Sequence, residues 1–277
     1  MKKLIRSLLF VPGSKPERFN KALNAGADLV CIDLEDAVLP SDKDSARQTI
    51  VDFIAGLDET NKQKLCVRIN PLSTVLGILD LEVLATVQPA YIMLAKCNDA
   101  AEMTKASQLL HPGTTKLIGL IETLEGLDNA PQIAKASNKV VALMFGGADM
   151  SAELRCEFAY QPLLFVRSQL VMAAARAKID LIDVPYVNIK DEAGLLAETQ
   201  LVKDLGFSAK AAIHPCQIAA IHMAFKPTTT QIAYAEQVMQ TVDGQENAGV
   251  VVVNGRMVDR PIILACQRTL ALAKVID

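Results

Sequence analysis

The sequence predicts an α/β fold, a (β/α)8 TIM barrel with a C-terminal helical extension. Three observations carry that prediction. Eight short apolar runs recur along the chain, segments with helical periodicity lie between them, and the glycine fingerprints GxGxxG and GxxxxGK[ST] of nucleotide-binding sheets are absent. Strands that alternate with helices imply a parallel sheet, because a parallel connection needs a crossover. Eight such units fill the length to roughly residue 225, which favours a closed barrel over an open doubly wound sheet. The expected domains are a catalytic barrel over 1–225 and an extension over 226–277 that packs on the barrel or on a neighbouring subunit.

In chain order, the expected strands are Ser7–Pro12, Leu29–Glu35, Leu65–Asn70, Tyr91–Lys96, Lys116–Thr123, Val140–Gly147, Leu181–Val187 and Ala209–Pro215. Helical periodicity marks Glu17–Ala25, Asp42–Ala55, Asp99–Leu110, Leu163–Lys178 and Glu192–Leu205. Beyond His214-Pro215 the pattern predicts helix through Ile221–Phe225 and again over Lys226–Gly244, entered at Pro227-Thr228. A short strand in Gly249–Asn254 and a closing helix over Pro261–Val275 follow.

Composition narrows the function. The formal net charge is −3, aromatic residues make up 4% and Trp is absent, so neither a basic nucleic-acid footprint nor a stacking platform is expected. No apolar run approaches the ~18 residues of a membrane span. Arg6 and Pro12 interrupt the first apolar run, which argues against a targeting segment and for a cytoplasmic protein. The six cysteines show no CxxC or paired spacing and read as free, mostly buried thiols.

In a barrel, chemistry gathers at the C-terminal ends of the strands. Two buried runs each deliver one acid there: KLIGLIET ends on Glu122, and KVVALMFGGADM delivers Asp149 just past two glycines. Two oxygen ligands suit a hard cation such as Mg2+, which takes one or two carboxylates and leaves its other positions to water and substrate. No HxH, HExxH or Cys/His cluster supports zinc. Each acid could instead merely cap the helix after its strand. Arg68, near the end of VRIN, needs an acid partner or a bound carboxylate. A structural ion pair with Glu35 or Asp36 is one reading, and both roles can hold together. With period-two alternation Asp33 shares a face with Glu35, and Arg68 with Asn70. Lys96, Asn188 and His214 stand at three further strand ends, His214 as a structural hydrogen-bonding group.

RSLLFVPGSKPERFNKA, VCIDLEDAV followed by KDSAR, VRINP, the IETLEG segment, GGADM, GFSAKAAIHPCQI and NGRMVDRPI occur in that order. They resemble the citrate lyase β-subunit-like (CitE-like) branch of the HpcH/HpaI aldolase family, over nearly the whole chain. The resemblance implies a Mg2+-dependent carbon–carbon lyase acting on a 3-hydroxy acyl-CoA thioester. By motif position it implies Glu122 and Asp149 as metal ligands, and Arg68 and Glu122 as substrate contacts. It further implies Asp259 as an acid contributed from the C-terminal segment, often into a neighbouring subunit's site, and Arg18 and Lys21 as contacts to coenzyme A phosphates. Two positions depart from the pattern: Ala148 stands where many relatives have an acid, and Asn188 where many have Asp.

The expected reaction is retro-Claisen cleavage to acetyl-CoA and a 2-oxo acid. Arg68 fixes the substrate carboxylate, Asp259 protonates the acetyl enolate, and the cluster of Asp33, Glu35 and Asp36 positions Arg68 and metal-bound water. A homo-oligomer is expected. The alternatives are a citrate lyase β subunit acting on a citryl group held by an acyl carrier protein, a class II aldolase of the same family, and a non-enzymatic organic-acid binder.

Overall fold

Alternating apolar and helix-forming segments close a barrel of eight parallel strands in sequence order. The computed structural model describes residues 4–243 and 250–276. The strands are β1 (Ser7–Pro12), β2 (Leu29–Asp33), β3 (Leu65–Ile69), β4 (Tyr91–Leu94), β5 (Lys116–Ile121), β6 (Val140–Phe145), β7 (Asp180–Asp183) and β8 (Ala209–Ala212). Pairing of β1 with β8 completes the ring.

Period-two alternation decides which residues fill it. Leu8, Cys31, Cys66, Tyr91, Met93, Ile118, Leu120, Ala142, Met144, Ile182, Ala209 and Ala211 form one buried cluster inside the barrel. The alternate positions, such as Leu9, Ile32, Val67, Ile92 and Leu143, are also buried and face the helical layer. Burial on both faces explains the near-continuous apolar runs.

The apolar runs overshoot the strands. Glu35, Asn70, Lys96, Glu122, Val187 and Pro215 all lie beyond the ladders, in loops at the C-terminal rim. Leu34, Ala95 and Val184 are loop residues as buried as strand residues, so hydropathy does not separate burial from ladder membership there.

The helices are α1 (Phe19–Leu23), α2 (Lys43–Ala55), α3 (Glu59–Lys62), α4 (Val75–Val87), α5 (Ala100–Leu109), α6 (Leu124–Ile133), α7 (Gly147–Leu154), α8 (Leu164–Ala177), α9 (Glu192–Leu205) and α10 (Gln217–Phe225). The helix expected over Glu17–Ala25 is a 3-10 turn, Pro16–Arg18, leading into the short α1. Periodicity does not reveal α4, whose sequence VLGILDLEVLATV has too few polar residues to outline a stripe. Side chains cap several helices at their first turn: Thr74 accepts from Gly77 N, Asp99 from Glu102 N, and Asp191 from Gly194 N.

The described chain divides into two compact units, Ile5–Ala224 and a second comprising Leu4 with the chain from Phe225. The second unit holds α11 (Thr229–Asp243), the antiparallel pair β9 (Val251–Val253) and β10 (Arg256–Val258), and α12 (Arg260–Ile276). Ala235, Val238, Val251, Val253, Val258 and Cys266 form its own core. The expected helix end at Gly244 and strand start at Gly249 lie outside the described residues. All six cysteines are free; Cys31, Cys66, Cys97 and Cys266 are buried, and Cys216 is exposed.

Candidate active site

Asp33 and Arg68 are directly paired positions on β2 and β3, at the top of the interior series that runs through Cys31 and Cys66. That register makes their side chains neighbours, and Arg68 forks onto Asp33 through Nε and Nη2, both at 2.6 Å. The guanidinium also lies over the Phe10 ring, 5.3 Å from its centroid. Burial disfavours the charge, but the Asp33 hydrogen bonds and the carboxylates of Asp33 and Glu35 outweigh it and hold Arg68 firmly protonated. The predicted partners are therefore secondary. Glu35 Oε2 is 3.1 Å from Nη1, and the exposed Asp36 reaches only 4.0 Å from Nη2. Asp33, expected from the sequence only as one member of the cluster that positions Arg68, is the principal partner, because parallel register sets it against Arg68.

Glu35 is buried behind Arg68, and its Oε1 is ion-paired with Lys96 Nζ. Its Oε2 makes no hydrogen bond among the described residues. Burial pushes the Glu35 carboxyl up against the opposing pull of Arg68 and Lys96. The loop that carries Glu35 is tied down from outside the barrel. Lys43 Nζ donates to the carbonyls of Leu34 and Glu35, at 2.8 and 2.9 Å, and Asn70 Nδ2 donates to Leu34 O at 3.2 Å. Asn70 is in turn held by the fully buried Asp80, which accepts from its side chain at 2.6 Å and from Arg47 Nε at 2.7 Å. This supporting set is not visible in the sequence, since its hydrogen-bonded pairs are up to thirty-six positions apart.

Glu122 follows β5 and is 2% exposed. It does not cap a helix: Thr123 caps α6 by accepting from Gly126 N. Instead Glu122 Oε1 accepts from the Lys96 amide at 2.8 Å. Burial, reinforced by the Glu35 carboxylate, pushes the Glu122 carboxyl up to about 7, against the Lys96 amide and the charges of Arg68 and Lys96. The Gly-Gly pair after β6 now has a reason. A Cβ on Gly146 would lie 2.4 Å from Glu122 Cβ and 2.7 Å from its Oε2, so only glycine lets β6 pass this side chain. Asp149 sits exposed in the first turn of α7, with no side-chain capping bond at that helix start.

A cavity of about 450 Å3 opens over these groups, its walls including Asp33, Asp36, Arg68, Glu122, Ala148 and Asp149. Arg68 and Glu122 thus face one space with Asp149, and Glu35 and Lys96 contact these groups next to it. A second cavity of about 520 Å3 adjoins it across Phe10–Pro12 and is lined by Arg18, Lys21 and His214. Both Arg18 and Lys21 are exposed cations there. His214 is exposed, with Nδ1 2.9 Å from Cys216 Sγ and 3.2 Å from the Cys216 amide that donates to it. Asn188 is exposed, and its carbonyl accepts from Asp191 N. Asp259 belongs to the second unit, where its carboxylate accepts from Ile262 N at the start of α12.

The donors fit a hard cation better than a soft one. Glu122 and Asp149 supply oxygen only, and no group of three or more His, Cys, Asp or Glu side chains that could cage a metal is present among the described residues. A carboxylate pair without a cage is what a partly hydrated divalent ion needs. A cation would also favour the ionised form of Glu122, whose carboxyl burial and the Glu35 carboxylate push up to about 7.

The HpcH/HpaI aldolase/citrate lyase family model matches residues 6–215. The chain belongs to that family. It is an enzyme of this lyase family by its relatives as well. A citrate lyase subunit beta from Leuconostoc mesenteroides is 34% identical over 98% of this chain and 94% of its own length. A (3S)-malyl-CoA thioesterase from Cereibacter sphaeroides is 32% identical, covering 98% and 95%. The human mitochondrial citramalyl-CoA lyase is 30% identical, covering 97% and 85%. CitE from Mycobacterium tuberculosis, solved with magnesium, acetoacetate and coenzyme A, superposes with a TM-score of 0.85 at 32% identity, covering 99% of this chain and 100% of that one. The family barrel expected from the motifs is the one observed. Among the described residues no helix is long and apolar enough to cross a membrane.

Proposed function

We propose that this chain is a Mg2+-dependent carbon–carbon lyase that cleaves a 3-hydroxy-3-carboxy acyl-CoA thioester, of citramalyl, malyl or citryl type, to acetyl-CoA and a 2-oxo acid. The observation that carries this reading is the shared cavity: an Asp33-anchored guanidinium and two carboxylates, Glu122 and Asp149, face one space.

Glu122 and Asp149 would hold Mg2+, which when bound lowers the pKa of the substrate hydroxyl. Arg68 keeps N–H groups on Nη1 and Nη2 beyond those forked to Asp33, and these bind the substrate carboxylate and offset charge on the departing 2-oxo acid. The C3 hydroxyl gives up its proton to water and its oxygen forms the carbonyl of the 2-oxo acid as the C2–C3 bond breaks; that bond's electron pair moves to the thioester carbonyl, and the acetyl enolate takes a proton at C2. Asp259 is the proposed donor, in its own subunit's site or a neighbour's. Glu35 and Asp36 hold Arg68 from behind and from the rim. The Arg18 and Lys21 cavity suits the coenzyme A phosphates. The barrel, 1–225, is the catalytic domain in this reading, and 226–277 packs on a neighbouring subunit of a cytoplasmic homo-oligomer.

Cleavage of citramalyl-, malyl- and citryl-CoA by the purified chain tests it, with Mg2+ and with EDTA, alongside Glu122→Ala. Metal-dependent acetyl-CoA release that Glu122→Ala abolishes is the expected result. A folded, Mg2+-binding protein inert on all three would favour the second reading, action on a citryl group borne by an acyl carrier protein, which the citrate lyase subunit beta relatives support.

A further inference from the structure

Lys96 is absent from the cavity lining, yet it touches both halves of the site. Its amide donates to Glu122 Oε1 at 2.8 Å, and its Nζ is ion-paired with Glu35 Oε1. Glu35 in turn places Oε2 3.1 Å from Arg68 Nη1. One residue therefore links the proposed metal ligand to the acid behind the proposed substrate-binding guanidinium.

The backbone at Lys96 supports that reading. Its φ is +45°, in the left-handed region that a lysine seldom occupies. The turn is pinned on both sides. The Cys97 amide donates to Leu120 O at 3.0 Å, and a Cβ on Gly126 would lie 2.6 Å from Cys97 O, so α6 closes directly over the turn. Strain of this kind persists where surrounding structure over-determines it, and it gathers at functional sites. Here the left-handed turn points the Lys96 amide at Glu122 while its side chain returns to Glu35.

We infer that Lys96 is a positioning residue of this site, a two-armed brace whose amide orients Glu122 and whose ammonium holds Glu35 by Oε1 and keeps its carboxylate from a tighter grip on Arg68. Without the ammonium, Arg68 is the one cation left paired with the Glu35 carboxylate among the described residues. It then draws the guanidinium off the geometry set by Asp33, and carboxylate binding suffers. The inference rests on the lyase reading above for what the site binds.

The test uses the full chain and a probe that needs no turnover, titration with oxaloacetate or pyruvate at saturating Mg2+, beside Mg2+ titration alone. Lys96→Met, which keeps the amide, is expected to weaken 2-oxo-acid binding 10-fold or more while Mg2+ affinity stays within about 3-fold. Lys96→Arg should restore most of the loss, and Glu35→Gln combined with Lys96→Met should bind no worse than Glu35→Gln alone. Lys96→Gln serves the same comparison if Lys96→Met does not fold. Unchanged 2-oxo-acid binding in the folded variant, or losses that simply multiply in the double variant, would overturn the brace. A wild type that binds 2-oxo acid but cleaves no CoA thioester would overturn the CoA-thioester reading and leave the brace standing.

Discussion

Asp33 and Arg68 stand opposite one another in the β2–β3 register and share a two-point ion pair, both contacts 2.6 Å, at the floor of the cavity. Two strands thus fix the guanidinium plane, and a planar fork is what bidentate carboxylate recognition requires.

Arg68→Lys keeps the charge and loses the fork. Turnover on the preferred thioester should fall in kcat/KM by about 100-fold, or roughly 3 kcal/mol. Asp33→Asn should lower folding stability by about 3 kcal/mol, since it leaves Arg68 short of its main anion in a buried setting. Urea denaturation of the purified variant measures that.

Gly146→Ala puts a methyl 2.4 Å from Glu122 Cβ. Overpacking of this kind costs about 1–3 kcal/mol, and here it also displaces Glu122. Mg2+ affinity measured by calorimetry should drop at least 10-fold, with the circular dichroism spectrum unchanged.

Asp28 supplies a pH prediction away from the site. Burial opposes its ionisation, but hydrogen bonds from His222 and Arg6 and the Arg6 charge hold its carboxyl well below the usual carboxylate range. The contacts are Arg6 N at 2.7 Å and Arg6 Nη2 at 3.1 Å. A depressed folded pKa adds stability that is complete above the unfolded value of about 4 and is lost as pH falls below it. Asp28→Asn should therefore cost about 1–3 kcal/mol at pH 7 and flatten the decline in stability below pH 4. Equal acid limbs for variant and wild type in chemical denaturation would contradict this. The nearby Ser7 and His222, 2.7 Å apart, are not a nucleophile and its base, because Ser7 is wholly buried.

Lys210 lies on the outer face of β8, 0% exposed, where Nζ donates to Asp183 Oδ2 at 2.5 Å, Val184 O at 2.8 Å and Glu198 Oε1 at 2.8 Å. Arg167 Nε donates to the other Asp183 oxygen at 2.9 Å. Lys210→Met breaks a fully buried ion pair, and the denaturation midpoint should fall by an amount equivalent to about 3–5 kcal/mol with the slope unchanged.

Much of this protein is legible without coordinates. Eight apolar runs broken by helical segments specify the barrel, because strands buried on both faces must be apolar throughout and parallel strands must be joined by crossovers. The rim position of Glu122 and Arg68 follows from where those runs end, and the paired glycines before Asp149 announce a close approach. The motifs place the chain in its family before any distance is known.

Tertiary structure alone decides the wiring. Local pattern tells which face a residue takes but not which residue of another strand stands opposite, and that register makes Asp33 the principal partner of Arg68 where Glu35 and Asp36 are nearer the rim. It likewise turns Lys96 from a strand-end cation into a contact of both Glu35 and Glu122, through a left-handed backbone that no composition signals. Sequence determines burial and alternation through short-range chemistry. The closing of the barrel determines which charges meet, because strands distant in the chain become neighbours only when the ring is complete.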